Sequence, residues 1–172
     1  KHMMELMNGD IGVESTPGRG STFWIELPLA KLPEKNLALN VQKTEPDKLF
    51  LPACTLLYIE DYEANCTLLR KGLDSFPHVE LLWASDGTSG LAMAKQQPDL
   101  ILLDLGLPDI QGIDVLENLK QDKSTNQIPV VVLSADATKH RIQYLLEAGA
   151  LAYVTKPYKM KEMLRSLQEW LP

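Results

Sequence analysis

Five polar side chains stand where short apolar runs of the chain end. Glu60 and Asp61 follow one run, Asp104 ends a second, Ser134 ends a third, and Lys156 comes shortly after a fourth. Three carboxylates that lie close together repel one another unless a cation neutralises them, and Mg²⁺ selects sites made of oxygen ligands. A lysine and a serine hydroxyl beside that cluster could bind an anion. Each residue alone has an ordinary role as a helix cap or a solvated charge, but together they indicate a phosphoryl site with Mg²⁺, or Mn²⁺ in its place.

These side chains can meet only if the apolar runs are strands of one sheet. The runs are apolar on both faces, which is typical of a parallel sheet covered by helices on both sides. Amphipathic stretches alternate with the runs, and the carboxyl ends of parallel strands lie at one edge, where such sheets bind ligands. The pattern predicts an α/β fold for residues 54–172, a (βα)5 doubly wound parallel sheet of five strands. The predicted strands are Leu56–Ile59, Leu81–Ala84, Leu100–Leu103, Val130–Leu133 and Ala152–Val154.

Three of the intervening stretches place apolar residues at helical spacing, so each has one face to bury. Between the second strand and its helix, Ser85 or Asp86 is expected to cap the helix rather than to belong to the site. The three apolar stripes are Tyr62, Cys66, Leu69 and Leu73, then Ile142, Leu145 and Leu146, and then Met160, Met163, Leu164, Leu167 and Leu171.

The composition is that of a folding protein and argues against several classes of function. Apolar residues make up 45% of the 172 residues and charged residues 23%, which is the globular range. The net charge of −6 disfavours nucleic acid as a partner, because phosphate binding needs a basic face. No apolar run approaches the roughly 20 residues that span a bilayer, so we expect no direct membrane contact and a cytoplasmic location. Cys54 and Cys66 form no C-x-x-C pair and are expected to be reduced core thiols.

Residues 30–53 separate this domain from a shorter N-terminal part. The stretch mixes prolines with Lys, Glu and Asn and keeps no apolar period, so we interpret it as a linker. In residues 1–29 the pattern predicts a helix that ends at Asn8-Gly9, followed by a two-stranded hairpin. The helix is indicated by Met3, Leu6 and Met7, and the strands by Ile11–Val13 and Thr22–Ile25.

The N-terminal part is too small to bury its own apolar face, because one helix and one hairpin do not form a core. We therefore expect its apolar residues either to pack on the C-terminal domain or to drive self-association. These residues are Phe23, Trp24, Ile25 and Met3 or Met7.

Residues 54–172 resemble the receiver domains of two-component response regulators. The similarity rests on four motifs that occur in order, each at the end of a predicted strand. The resemblance implies a flavodoxin-like fold and a phosphorelay function, in which a phosphohistidine of a kinase or of a histidine phosphotransfer domain supplies the phosphoryl group. The motifs are Tyr58-Ile59-Glu60-Asp61, Leu102-Leu103-Asp104-Leu105-Gly106-Leu107-Pro108-Asp109-Ile110-Gln111-Gly112, Val132-Leu133-Ser134-Ala135 and Tyr153-Val154-Thr155-Lys156-Pro157.

The resemblance also implies a role for individual residues. Asp104 would be the phosphoacceptor, and Ser134 and Lys156 would contact the phosphoryl oxygens. Ser134 and Tyr153 would form a switch pair that alters the face made by the fourth helix, the last strand and the last helix of the domain. Self-association could use this face. The Lys156–Pro157 peptide bond is expected to be cis.

The implied metal ligands are Glu60, Asp61, Asp104 and the backbone carbonyl of Gly106. Glu60 stands where the family more often has Asp, and its longer side chain is expected to reach outward and to place a water between it and the metal. Gly106 offers no side chain to position a hydrolytic water, whereas Asp136, two residues after the serine, is acidic. The lifetime of the phosphorylated form therefore does not follow from these motifs.

Residues 1–29 resemble the last segment of a histidine-kinase ATPase domain, which is an α/β sandwich. The resemblance implies that the chain is the C-terminal part of a hybrid sensor histidine kinase, with any membrane anchor in upstream segments. The segments that bind adenine and Mg²⁺ are absent from this chain, so we expect it neither to bind ATP nor to phosphorylate histidine. The matching residues are His2-Met3-Met4-Glu5-Leu6-Met7-Asn8-Gly9-Asp10-Ile11-Gly12-Val13-Glu14-Ser15, Gly18-Arg19-Gly20-Ser21-Thr22-Phe23 and Leu27-Pro28-Leu29.

Three other interpretations are weaker. A pseudo-receiver would serve as a scaffold without phosphorylation, but every chemical position here holds a competent residue. A flavodoxin-like domain would bind FMN through hydroxyl-rich loops, whereas these loops carry acids. A phosphatase of the haloacid-dehalogenase type would need a second aspartate where Gly106 stands.

Overall fold

The structure, a computed structural model, describes residues 9–16, 18, 20–28, 49–136 and 138–171. The chain divides into two compact units, Lys1–Thr44 and Glu45–Pro172. The helix predicted from Met3, Leu6 and Met7 lies outside the described residues, as does most of the predicted linker.

The predicted hairpin of the N-terminal unit is confirmed. Its two antiparallel strands are β1 (Asp10–Thr16) and β2 (Gly20–Glu26). Gly18 and Gly20 have φ angles of 74° and 95° at the turn, a left-handed backbone that glycine adopts without steric cost.

One face of this hairpin is apolar. The register pairs Ile11 with Ile25 and Val13 with Phe23, and directly opposed residues point to the same side of a sheet. Phe23 is 79% exposed and Ile25 is 64% exposed. A two-stranded hairpin is at best marginally stable by itself, so the expectation that this face packs on another surface stays a prediction.

The C-terminal unit is the predicted (βα)5 domain. Its parallel sheet has the strand order β4-β3-β5-β6-β7, with the central strands extended by one or two residues beyond the predicted runs. Along the chain the elements are β3 (Cys54–Ile59), α1 (Glu63–Leu73), β4 (Val79–Ala84), α2 (Gly87–Ala94), β5 (Leu100–Asp104), α3 (Gly112–Gln121), β6 (Val130–Ser134), α4 (Lys139–Glu147), β7 (Ala152–Thr155) and α5 (Met160–Trp170).

The sheet is buried on both faces, which explains why its central strands are mostly apolar. Leu56 and Leu102 pack with residues of α1 and α5 in one core cluster. Leu57 and Leu103 pack with residues of α2, α3 and α4 in a second cluster on the other side. The two layers hold the strands rigidly, so the residues at the strand ends have fixed positions.

Two of the predicted helical stripes need correction. Tyr62 is 64% exposed because α1 begins after it, which makes it the N-cap residue rather than a member of the buried face. In α4, Leu145 is fully buried but Leu146 is 43% exposed. The predicted cap before α2 is confirmed, since Asp86 accepts a hydrogen bond from the backbone N–H of Ser89.

The folded unit includes residues upstream of Cys54, where the sequence places the end of the linker. Leu51 is fully buried in the same cluster as the residues of α1 and α5. A ring nitrogen of His78 lies 2.6 Å from the Leu51 carbonyl oxygen, and the Phe50 N–H donates to Gln168 Oε1 at 3.0 Å. The end of the predicted linker therefore belongs to the core of this domain.

Cys54 and Cys66 are buried free thiols. Burial, more than any neighbouring charge, raises the pKa of both, so they are poor nucleophiles. Among the described helices, none combines the length and apolar character of a membrane-spanning segment.

Replacing Leu51 with Ala should lower the free energy of unfolding by about 2–5 kcal/mol, because it leaves a cavity in the core. Leu68→Ala is the matched control, since Leu68 is 53% exposed, and should change the free energy by less than about 0.5 kcal/mol. Urea unfolding of the whole chain, followed by circular dichroism, measures both. Equal effects of the two substitutions would show that Leu51 lies outside the core.

Candidate functional site

The structure brings the predicted site residues to the carboxyl edge of the parallel sheet. Glu60 and Asp61 follow β3, Asp104 ends β5, Ser134 ends β6, and Lys156 follows β7. β4 lies on one side of β3 and β5 on the other. The strand order therefore reverses beside β3, which is where open α/β sheets bind ligands.

Three carboxylates form an oxygen cluster at this edge. Glu60, Asp61 and Asp104 each offer one oxygen, and these oxygens lie within 4.8 Å of one another. Glu60 is buried, Asp61 is exposed and Asp104 is mostly buried. Oxygen donors alone, with one side open to water, fit a hard divalent cation such as Mg²⁺.

Lys156 lies between two of these carboxylates. Its Nζ is 2.6 Å from Glu60 Oε2 and 3.2 Å from Asp104 Oδ2. Burial opposes the charge of this lysine, but the hydrogen bond to Glu60 and the charge of Asp104 outweigh it and raise the pKa of Lys156. The ammonium group therefore stays charged and partly neutralises the cluster. The following peptide bond, Lys156–Pro157, is cis as expected.

Glu60 points inward, which differs from the expectation that its longer side chain reaches outward. It is only 1% exposed. Its Oε2 accepts from Lys156 and, at 2.8 Å, from the Tyr58 hydroxyl, and its Oε1 accepts from Asn65 Nδ2 at 2.9 Å. Burial favours the neutral acid, yet these hydrogen bonds together lower the pKa of Glu60. Glu60 is thus a buried carboxylate held in its charged form.

Sequence reasoning missed the two side chains that fix Glu60 besides the lysine. Tyr58 precedes Glu60 by two residues, so both lie on the same side of an extended chain, and it is the one hydroxyl-bearing aromatic in the otherwise apolar end of β3. Burial, above all, raises the pKa of Tyr58 far beyond its ordinary 10.0, so its hydroxyl keeps its proton. Asn65 lies in the first turn of α1. A polar atom in a buried strand is the signal that could have found Tyr58.

The two residues of the predicted switch pair lie on neighbouring strands, Ser134 at the end of β6 and Tyr153 in β7. Ser134 Oγ accepts from the Asp136 N–H at 3.2 Å. The Tyr153 hydroxyl donates to the Ser134 carbonyl oxygen at 3.3 Å and also contacts the Asp136 carbonyl oxygen. Tyr153 is thereby connected to the segment that carries the serine.

Two glycines shape the loop after Asp104. A Cβ at Gly106 would lie 3.6 Å from Asp104 Oδ2, so the glycine leaves one side of the carboxylate open. A Cβ at Gly112 would lie 2.6 Å from the Asp104 carbonyl oxygen and 2.4 Å from the Leu105 Cα. Only glycine allows α3 to begin this close to the backbone of Asp104.

The same loop is tied to α2 by Asp109. Its carboxylate accepts from the backbone N–H groups of Gly87 and Thr88, both at 2.8 Å, and from the Thr88 hydroxyl at 2.6 Å. The Thr88 hydroxyl contributes most to lowering the pKa of Asp109. This contact caps α2 and holds the loop that follows Asp104.

Comparison with known proteins points to one family. Residues 56–168 match the family model described as the response regulator receiver domain. Over 166 residues the chain is 30% identical to the autoinducer 2 sensor kinase/phosphatase LuxQ of Vibrio vulnificus, and the alignment covers 95% of this chain and 19% of LuxQ. The chain thus spans about a fifth of the length of this curated relative.

Two solved structures resemble the C-terminal unit. The receiver domain of sensor histidine kinase PA1611 from Pseudomonas aeruginosa, with magnesium in its active-site cleft, is 28% identical with a TM-score of 0.61, covering 69% of this chain and 98% of that one. The Mn²⁺-bound response regulator Rcp1 is 31% identical with a TM-score of 0.59, covering 67% of this chain and 90% of that one.

Lys156→Met should raise the pKa of Glu60 from below to above its ordinary value of 4.5, because burial is then no longer outweighed by a cation. In the native protein the ionised Glu60 stabilises the fold above pH 4.5, and this stabilisation is lost as the pH falls through the lowered pKa. Carbon-13 NMR of the Glu60 carboxyl carbon during a pH titration measures the shift.

The control is Lys159→Met, which removes a lysine that is 83% exposed and paired with Glu162. It should leave the titration of Glu60 unchanged. If Glu60 titrates at the same pH in Lys156→Met as in the native chain, the ion pair does not set its charge.

Proposed function

The chain belongs to the response regulator receiver domain family, and from this premise we propose that Asp104 is the residue that accepts a phosphoryl group. The observation that carries the proposal is the position of Lys156, whose ammonium lies 3.2 Å from Asp104 Oδ2 inside an all-oxygen cluster. A charged lysine beside a reactive carboxylate is suited to bind the oxygens of an arriving phosphoryl group.

The phosphoryl donor is a phosphohistidine, carried by a histidine kinase or by a histidine phosphotransfer domain. A carboxylate oxygen of Asp104 forms the new bond to phosphorus while the bond from phosphorus to the imidazole nitrogen breaks. The electron pair leaves with that nitrogen. The transition state is loose, so Lys156 acts mainly by orienting the group and neutralising its charge. The Leu105 N–H donates to Asp104 Oδ1 at 2.9 Å and holds the carboxylate in place.

Glu60, Asp61, Asp104 and the backbone carbonyl of Gly106 would hold Mg²⁺, with Mn²⁺ as a substitute. The donor set fits, because every side chain that it uses offers oxygen and the carboxylate oxygens lie within 4.8 Å of one another. When bound, the cation supplies positive charge that stabilises the transferring phosphoryl group. The magnesium and manganese in the two related structures support this assignment.

Phosphorylation is read out through the end of β6. Ser134 turns its hydroxyl toward the phosphoryl oxygens and gives up its bond to the Asp136 N–H. Tyr153, which is bonded to the carbonyl oxygens of Ser134 and Asp136, changes position with this segment. The signal then reaches the face formed by α4, β7 and α5, where exposed apolar side chains such as Leu146 offer a surface for self-association.

The chain as a whole is the C-terminal part of a cytoplasmic region of a hybrid sensor histidine kinase. Residues 1–29 are the end of its ATPase domain, and much of residues 30–53 forms the linker. The LuxQ alignment supports this assignment, since it covers 95% of this chain and so extends beyond the receiver.

An amide NMR titration with Mg²⁺ and then beryllofluoride, a mimic of the acyl phosphate, tests the phosphoacceptor. The native chain should show saturable shifts around Glu60, Asp104, Ser134 and Lys156 that spread to Tyr153. Asp104→Asn should lose the response to beryllofluoride. If the native chain is folded but does not respond to beryllofluoride, the scaffold interpretation is supported instead.

Asp114→Asn is the matched control for that experiment. Asp114 is an exposed carboxylate in the first turn of α3 and is not one of the three clustered carboxylates. Its loss should leave both titrations unchanged, so that only removal of the carboxylate at Asp104 abolishes the response.

A further inference from the structure

We propose that Tyr58 is a positioning residue of this site, whose hydroxyl holds Glu60 so that Lys156 can leave Glu60 for the phosphoryl group. The inference rests on the proposed role of Asp104 and adds a residue to it. Tyr58 lies in β3, is fully buried, and touches Glu60 through a hydrogen bond of 2.8 Å.

The first step of the argument is the position of Lys156 before phosphorylation. Its Nζ is closer to Glu60 Oε2, at 2.6 Å, than to Asp104 Oδ2, at 3.2 Å. A phosphoryl group on Asp104 replaces one negative charge with a charge of about −1.5 to −2. The attraction on Lys156 then shifts from Glu60 toward Asp104.

The second step is what this shift does to Glu60. The side chain is 1% exposed, so water has little access to replace a donor that moves away. Leaving a buried carboxylate oxygen without a donor is unfavourable. Lys156 and Tyr58 both donate to Oε2, whereas Asn65 donates to Oε1. When Lys156 moves, the Tyr58 hydroxyl is the side-chain donor that Oε2 keeps among the described contacts.

The backbone of Glu60 is fixed as well. Trp83 Nε1 donates to the Glu60 carbonyl oxygen at 2.8 Å, and the Glu60 N–H donates to the Ala84 carbonyl oxygen at 3.0 Å. The main chain of Glu60 therefore cannot follow Lys156 without breaking contacts to β4. The Tyr58 hydroxyl donates to the side-chain carboxylate and keeps it in place while the lysine moves.

Tyr58→Phe tests the proposal, because it removes only the hydroxyl that donates to Glu60 and that also forms a hydrogen bond with Tyr158. When the 172-residue chain is saturated with Mg²⁺, beryllofluoride affinity should fall about tenfold, as expected for the loss of one hydrogen bond to a charged group. Mg²⁺ affinity in the absence of beryllofluoride should fall less, because Lys156 then still donates to Glu60 Oε2. A purely structural role would weaken both equally, and that result overturns the proposal.

Tyr144→Phe is the matched control. Its hydroxyl also donates to a glutamate, Glu117 Oε1 at 3.2 Å, but on the exposed surface. Neither affinity should change in this variant. A double-mutant cycle with Glu60→Gln asks whether Tyr58 acts through Glu60: Tyr58→Phe should have no further effect on beryllofluoride affinity in that background, and an undiminished effect contradicts the mechanism.

A measurement on the native chain makes the test independent of any folding defect in Tyr58→Phe. With tyrosine labelled at the ring carbon that bears the hydroxyl, beryllofluoride should shift the Tyr58 signal as its hydrogen bond to Glu60 strengthens, and Asp104→Asn should abolish that shift. If the native chain binds beryllofluoride and the chemical shift of Tyr58 does not change, the positioning role of Tyr58 is wrong. The proposal that Asp104 is the phosphoacceptor is then unaffected. If the native chain does not bind beryllofluoride, the proposed roles of Asp104 and of Tyr58 are both wrong.

Discussion

Lys156 is shared by two carboxylates that are largely removed from water, and the geometry of the site depends on this pairing. Its Nζ lies 2.6 Å from Glu60 and 3.2 Å from Asp104. A buried charge without a partner is strongly unfavourable, so the three groups must arrive at the sheet edge together. They come from the ends of β3, β5 and β7, so the pairing requires these strands to end at the same edge of the sheet.

The sheet makes this arrangement rigid, and the loops keep it accessible. Helices cover both faces of the central strands, so the strand ends cannot shift without disturbing a close-packed core. Gly106 leaves a side of Asp104 open, while Gly112 and Asp109 hold the loop beyond it. The strands thus hold the charged side chains in place, and Gly106 leaves space beside Asp104 for the phosphoryl group that we propose as the ligand.

The two units of the chain differ in how much of their own apolar surface they bury. The C-terminal unit has two buried core clusters, and Leu51, which precedes its first strand, is part of one of them. The hairpin of the N-terminal unit leaves Phe23 and Ile25 largely exposed. The hairpin therefore leaves apolar surface for a partner to cover, whereas the C-terminal unit covers its own core.

The sequence by itself determined the strands and the edge where the site lies, because apolar runs of this length form parallel strands and their carboxyl ends must share one edge. It therefore located Glu60, Asp104, Ser134 and Lys156 correctly at strand ends. Only the tertiary structure decided that Glu60 points inward and that Tyr58 holds it. Spacing along a chain tells which face a residue occupies, whereas the partner of a buried polar atom is set by packing between elements that are distant in sequence.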